Sequence, residues 1–373
     1  MAHVAIVGGG ILGLAHATIA ARHGHSVAIF ERHAAATGAS IRNFGMIWPI
    51  GQPSGEIHQI ALRSRDLWLE VLQASKLPYR PTGSLHVAYH QDEADVLREF
   101  AEIGPSSGYD CQWLRSAEVL ARSKAVLPQS LQGGIWSAAE LTVDPRAIIA
   151  GLPHYLRELG VTTHYGCAVT QIDPPRIETA AGSYAADIAI VCSGDDFETL
   201  FPAVFRSSGL TRCKLQMMRT APQPGTWELG PALAAGLTLR FYKAFRICSS
   251  LPKLHARVRR EKPEYERYLI HVLVSQTADG AITLGDSHEY GECIEIFDKP
   301  AIDHLILSEA RTFLQLPDFQ IAQRWHGVYS THPDKSFFEA EPAPGVRVVT
   351  GVGGSGMTLS FGLAERTIAQ MGL

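Results

Sequence analysis

Three glycines spaced Gly8-x-Gly10-x-x-Gly13, with a carboxylate at Glu31, are the residues near the N-terminus whose types and spacing suit chemistry. That chemistry is recognition of a diphosphate and a ribose. The first glycine permits a tight turn, the second lets a pyrophosphate approach the backbone, and the third lets a helix pack closely on the strand before it. At the helix start, the N–H groups of Ile11, Leu12 and Gly13 and the positive end of the dipole would face the diphosphate. Glu31 follows eighteen residues after Gly13, where its oxygens can accept hydrogen bonds from ribose hydroxyls.

Two further stretches carry similar potential. Thr37 to Ile47 mixes small residues with Ser40, Arg42 and Asn43, a combination of hydroxyl, amide and permanent cation suited to more phosphate contacts. Near the C-terminus, Gly351-Val352-Gly353-Gly354-Ser355-Gly356-Met357-Thr358 repeats the strand-to-helix junction. A nicotinamide enzyme usually needs only one such junction. A second helix aimed at the same ligand suits a ring that gains negative charge on reduction, which favours FAD over NAD.

The elements that must position these residues are legible in the hydrophobic pattern. Val4 to Val7 and Val27 to Phe30 read as buried parallel strands around a helix from about Ile11 to His23, stopped by Gly24. Glu56 to Ser75 has helical periodicity with Ser54 as candidate N-cap, and Gly83 to Tyr89 alternates like a half-exposed antiparallel strand. Glu93 to Ile103 is amphipathic, and Pro145 opens a helix to about Leu159. Short strands follow between Val161 and Thr179, and Ala186 to Gly194 reads as another buried strand ending in the small residues Ser193-Gly194. Ligands gather at the carboxyl ends of such strands, so Ser193 and Gly194 are expected beside Gly8 to Gly13.

From Lys214 to Ile321 strands are expected at Leu215 to Thr220, Leu237 to Tyr242, Tyr268 to Val274 and Ile282 to Gly285, with few strong helices. Val346 to Thr350 then returns the chain to the first sheet. The expected fold class is α/β (α+β overall), a Rossmann-type dinucleotide domain joined to a mostly antiparallel substrate domain. Residues 1-80, 141-213 and 322-373 would form the first and residues 81-140 and 214-321 the second.

Composition excludes several classes. Across 373 residues the net charge of −4 leaves no basic footprint for nucleic acid, and the cationic run Lys253 to Lys262 is followed by acids, as on a solvated helix face. Six scattered cysteines form no C-x-x-C pair, so neither a zinc site nor a disulfide framework is expected. The chain enters its first strand directly and has no apolar run of membrane length; a cytoplasmic protein is expected.

Taken together, Gly8 to Gly13, Glu31, Gly38-Ala39-Ser40, Arg42-Asn43, Gly45, Val169, Ser193-Gly194 and Gly353 to Ser360 resemble the superfamily of D-amino-acid oxidase, glycine oxidase and sarcosine oxidase, FAD-dependent amine oxidoreductases. The resemblance covers essentially the whole chain. It implies that Ser40, Arg42 and Asn43 reach the diphosphate and that Arg32 joins Glu31 in the cofactor set. Val169 would meet adenine, while Gly45, Met46 and Gly354, Gly356, Met357 and Thr358 would line the isoalloxazine. No cysteine lies in the C-terminal segment, so FAD is expected to be bound without a covalent link.

More narrowly, Gly45 to Gln52, Lys214 to Met217, Gly285 to His288 and Arg324 to Tyr329 resemble the branch associated with aminophosphonate breakdown. One departure supports it. Amino-acid oxidases of the superfamily carry an Arg shortly after the W-x-G element, whereas Trp325-His326-Gly327 is followed by Val328-Tyr329-Ser330. The bidentate clamp for an α-carboxylate is missing from its usual place.

The implied reaction is hydride transfer from the carbon beside a neutral amine to the flavin, followed by imine hydrolysis to an aldehyde. The substrate would resemble 2-aminoethylphosphonate or an N-alkylated form of it, with O2 or another acceptor reoxidising the cofactor. Lys214, Arg240, Tyr242, Lys243, Arg246, His271 and His288 are candidates for the substrate anion. Trp48, Gln52, Trp325 and Tyr329 are candidates for lining the pocket, and Tyr329 or His288 for any base. No metal is called for, and His86 and His23 are read as structural. The alternatives are a glycine, sarcosine or D-amino-acid oxidase, a nicotinamide dehydrogenase, and a dinucleotide-binding sensor without turnover.

Overall fold

The computed structural model describes all 373 residues. A six-stranded sheet runs in the order Phe338–Ala343, Val346–Thr350, Ile188–Val191, His3–Val7, Ser26–Glu31 and Thr162–Tyr165. All neighbours are parallel except the first pair. Alternation along the strands divides the sheet's two faces. Val4, Ile6, Val27 and Ile29 pack into a core with Leu14, Ile19, Trp68, Leu72, Ile148, Leu152, Phe361 and Ile368. Those partners lie on helices Ile11–Arg22, Glu56–Ser75, Pro145–Glu158 and Gly356–Gln370. Ala5, Val7, Phe30 and Val191 face the other way, against Val169, Ile172 and Ile177 of a three-stranded antiparallel sheet. Strands covered on both faces need near-continuous apolar runs, as seen here.

The second large sheet has nine strands, and its path runs Glu289–Gly291, Thr211–Pro222, Ala281–Gly285, Leu273–Gln276, Ala232–Ala234, Ser84–Ala88, Gly133–Ser137 and Gln112–Leu114. The ninth strand, Ile321–Thr331, pairs antiparallel along Thr211–Pro222, with Met217 opposite Trp325 and Cys213 opposite Tyr329. The mixed pattern includes one parallel pair, Ala232–Ala234 with Ser84–Ala88. No helix is long and apolar enough to cross a membrane.

Several expectations need correction. The stretch Leu237 to Tyr242 is not a strand: Gly236–Leu239 is a short helix and Lys243–Ile247 a turn, because the segment folds back against the Pro49–Gly51 turn. Of Tyr268 to Val274 only Leu273 and Val274 join a strand; Tyr268 caps a helix. The region also contains two full helices, Leu251–Glu261 and Pro300–Phe313. On the first, Arg257 turns inward to Asp92 (2.7 Å) and Glu93 (2.8 Å), so that face is not wholly solvated. Ser84–Ala88 is buried on both faces, because its outer side chains meet elements that the strand's own pattern does not reveal. Gly55 rather than Ser54 caps Glu56–Ser75. The expected domain limits at 213/214 and 321/322 fall inside strands Thr211–Pro222 and Ile321–Thr331, which both belong to the nine-stranded sheet.

His86 is wholly buried in this sheet, with its ring 5.3 Å from those of Trp48 and Phe245 and neither nitrogen hydrogen-bonded. Burial lowers its pKa from 6.5 to about 3. An unfolded chain therefore binds a proton here between those values that the folded chain refuses, and stability falls as pH drops through that window. Replacing His86→Phe loses no hydrogen bond and keeps an aromatic ring. Stability at pH 7 should change by no more than about 1.5 kcal/mol, and urea midpoints should fall less steeply with acid than in the wild type. An unchanged pH slope would count against this account.

Candidate active site

The carboxyl ends of the central parallel strands set the geometry. Gly8 follows His3–Val7 with φ +108°, and a Cβ there would strike the carbonyl oxygen of Cys192 on the neighbouring strand. A Cβ on Gly13 would strike the carbonyl oxygen of Gly8. Strand, turn and helix thus touch backbone to backbone, and only glycine fits. The first intrahelical bond runs from Leu14 N to Gly10 O, so the N–H groups of Ile11, Leu12 and Gly13 have no partner within the helix. Ile11 N donates to Ser40 Oγ at 2.9 Å, which places the Ala39–Ile41 turn directly on the helix N-terminus.

Glu31 is buried at the end of its strand, where Oε2 accepts from Gly9 N at 2.8 Å and Oε1 from His33 N at 2.9 Å. The carboxylate therefore fastens the glycine turn to the second strand. Thr350 Oγ1 donates to Gly194 O at 2.7 Å, joining the second junction to the Ser193–Gly194 turn. A Cβ on Gly356 would lie 4.0 Å from Ile11 Cγ2, so the starts of the first and last helices adjoin. Free backbone donors, glycine-lined walls and a flanking carboxylate make a cradle that fits an adenine dinucleotide.

Residues 3–370 match the family described as FAD dependent oxidoreductase, DAO. The chain belongs to this family. Among curated relatives, it is 26% identical to glycine oxidase of Geobacillus kaustophilus (strain HTA426) over 203 residues, 51% of this chain and 54% of that one. It is 23% identical to mitochondrial sarcosine dehydrogenase of Homo sapiens over 206 residues, 52% of this chain and 22% of that one. The matched stretch thus spans about half of the first relative's length and less of the second's. The crystal structure of glycine oxidase from Geobacillus kaustophilus superposes with a TM-score of 0.77 at 20% identity, covering 100% of this chain and 95% of that one. That of L-proline dehydrogenase from P. horikoshii gives 0.76 at 17% identity, covering 100% and 94%. Both establish the same mixed α/β fold.

FAD, the cofactor of this family, would meet Gly8 to Gly13 with its phosphates and the start of the last helix with its ring. The residues around the second junction are tightly clamped. Thr358 Oγ1 accepts from Trp48 N at 2.9 Å, Met357 O accepts from Trp68 Nε1 at 2.7 Å, and Gln52 Nε2 donates to Ser355 Oγ at 3.1 Å. Gly45 has φ +70°, and a Cβ there would strike Val143 O, while Met46 pairs with Thr142. Behind this turn Glu140, fully buried, accepts from Ile50 N (3.0 Å) and Ser84 Oγ (2.8 Å), a support with no sequence signal.

Other expected residues are committed elsewhere. Asn43 spends its amide on Ala39 O and Ser40 O and its oxygen on Gly45 N, so it stitches its own loop instead of reaching a phosphate. Arg42 Nη1 donates to His326 O at 3.1 Å, and its carbonyl accepts from Trp325 Nε1 at 3.3 Å. Arg32 pairs with Asp196 at 2.7 Å, and Ser193 Oγ donates to Asp196 O. Val169 is buried in the three-stranded sheet.

Lys214, expected to bind an anion, is buried with its ammonium on Glu295 O (2.9 Å), Phe297 O (2.5 Å) and Asp298 (3.0 Å). Three acceptors from one loop satisfy its charge, which leaves it unsuited to substrate. Arg240 is likewise engaged by Glu266.

Tyr242 packs against Gly51, and Tyr329 is buried with its hydroxyl 3.8 Å from where a Cβ on Gly354 would stand. Burial holds both phenols well above their usual range. His271 and His288 lie together with Asp286, which belongs to the Gly285 to His288 motif but is not among the expected site residues. Burial moves Asp286 upward and both imidazoles downward, His288 to about 4.

The substitution Gly13→Ala tests the cradle. It should lower the free energy of unfolding by about 1–3 kcal/mol and strip FAD from the purified protein, read as loss of visible flavin absorbance per chain. Wild-type flavin content and stability in that variant would refute the steric argument.

Proposed function

We propose that this protein is an FAD-dependent amine oxidoreductase acting on a small amine whose anionic group lies farther from the nitrogen than an α-carboxylate does, such as 2-aminoethylphosphonate or an N-alkylated relative. The observation that carries the reading is the meeting of the two glycine-rich junctions, with Ile11 and Gly356 adjoining, beside an aromatic wall. Bound there without a covalent link, FAD supplies the two-electron acceptor for a carbon–hydrogen bond next to nitrogen. The six-stranded sheet would hold the cofactor and the nine-stranded sheet the substrate.

In this reading Trp48, Tyr242, Trp325 and Tyr329 exclude water and orient the amine, and Gln52 fixes the turn that carries Trp48. Tyr329, kept neutral by burial, can donate a hydrogen bond at the reacting end without charge. The missing arginine after Trp325-His326-Gly327 removes the usual carboxylate clamp. Lys243 and Arg246, adjacent on the turn beside Tyr242, have no acidic partner within ion-pair distance and would take the substrate's anion. Burial and the neighbouring Arg246 lower the Lys243 pKa against the opposing pull of Asp334.

A second reading, oxidation of glycine or sarcosine, is favoured by the names of the matched relatives, glycine oxidase and sarcosine dehydrogenase. The two separate under anaerobic conditions. Aminoethylphosphonates should bleach the visible flavin absorbance rapidly, and glycine, sarcosine and D-alanine slowly or not at all. Bleaching by the carboxylates alone would overturn the phosphonate reading. A yellow protein bleached by no amine would point to a sensor.

A further inference from the structure

We propose that His271, Asp286 and His288 form a binding site for one divalent transition-metal ion of the zinc class. Their ligand atoms all lie within 4.8 Å of one another, and His271 Nε2 is 3.2 Å from Asp286 Oδ1. Each residue is at most 5% exposed. His271 Nδ1 has no partner at all, and His271 Nε2 and Asp286 Oδ1 face one another without the alignment of a hydrogen bond, although buried polar atoms left unpaired are costly. Two imidazoles and a carboxylate are a donor set suited to such ions, and three protein ligands leave a position open for water or another small ligand.

The backbone holds the donors in place. His271 N donates to Asp286 O (3.3 Å) and Asp286 N to His271 O (2.8 Å), a reciprocal pair locking two ligands across adjacent chain segments. His288 N donates to Tyr268 O at 2.8 Å. His288 Nδ1 lies 3.3 Å from Leu269 O, so a proton on Nδ1 is spent on that carbonyl and the Nε2 lone pair is free. Phe241 packs 4.1 Å from the His271 ring and 4.4 Å from the His288 ring, limiting their rotation. Arg240, whose charge bears on His271, is itself paired with Glu266. The cysteines play no part: the donors come from segments fifteen residues apart in sequence, a spacing no common motif describes.

This inference stands independently of the amine reading. Untagged holoenzyme is stripped with a chelator, dialysed and titrated with ZnCl2. The expected result is saturable uptake of one zinc per chain. X-ray absorption should show a nitrogen and oxygen shell at about 2.0–2.1 Å containing two imidazoles. Asp286→Asn and His271→Gln, checked for retained flavin colour, should each weaken zinc binding at least about tenfold. The proposal is overturned by absence of saturable uptake, by sulfur in the zinc shell, or by variants that bind zinc as the wild type does. Should both variants fail to fold, stoichiometry and shell composition of the wild type decide the matter alone.

Discussion

The structure depends on a close approach of backbones at the carboxyl edge of the six-stranded sheet. Gly13 rests on the carbonyl of Gly8, and Gly8 on the carbonyl of Cys192. No side chain can intervene, so the first helix begins at a fixed distance from two neighbouring strands and its unpaired N–H groups project past the sheet edge. That placement, with Glu31 fastened across the turn, leaves at the edge of a parallel sheet a cradle that would fit a dinucleotide.

The last helix extends the same arrangement. Its first turn is gripped from outside the sheet: Thr358 takes the backbone donor of Trp48, and Met357 offers its carbonyl to Trp68. The turn carrying Trp48 is in turn held by the buried Glu140 and by contact between Gly51 and Tyr242. Each aromatic wall residue is thus fixed by a hydrogen bond or close packing reached from another segment. The long pair Thr211–Pro222 and Ile321–Thr331 of the nine-stranded sheet carries Tyr329 to the same place.

Charge in the second half of the molecule is mostly consumed locally. Lys214 is satisfied by a loop, Arg240 by Glu266 and Arg257 by two carboxylates. Burying a long cation is tolerable only with such partners. Against that background, the orphaned buried atoms of His271 and Asp286 stand out.

Sequence alone determined the parallel strands, the two glycine-rich junctions and the family, because strand burial and glycine spacing are local properties that the fold can satisfy in few ways. It also showed the missing arginine after Trp325-His326-Gly327. It misread Leu237 to Tyr242 as a strand, since short apolar runs fit helix and strand equally well and only packing against Pro49–Gly51 decides between them. It ranked Lys214 and Arg240 as anion binders because a cation's value depends on what lies beside it, and their partners Asp298 and Glu266 are distant in sequence or attached through folded loops. Tertiary structure alone placed Asp286 between two histidines and left Asn43 inside its own loop. The physical reason is common to all these cases. Backbone geometry is written in neighbouring residues, whereas hydrogen-bond and ion-pair partners are chosen by which segments the folded chain brings together.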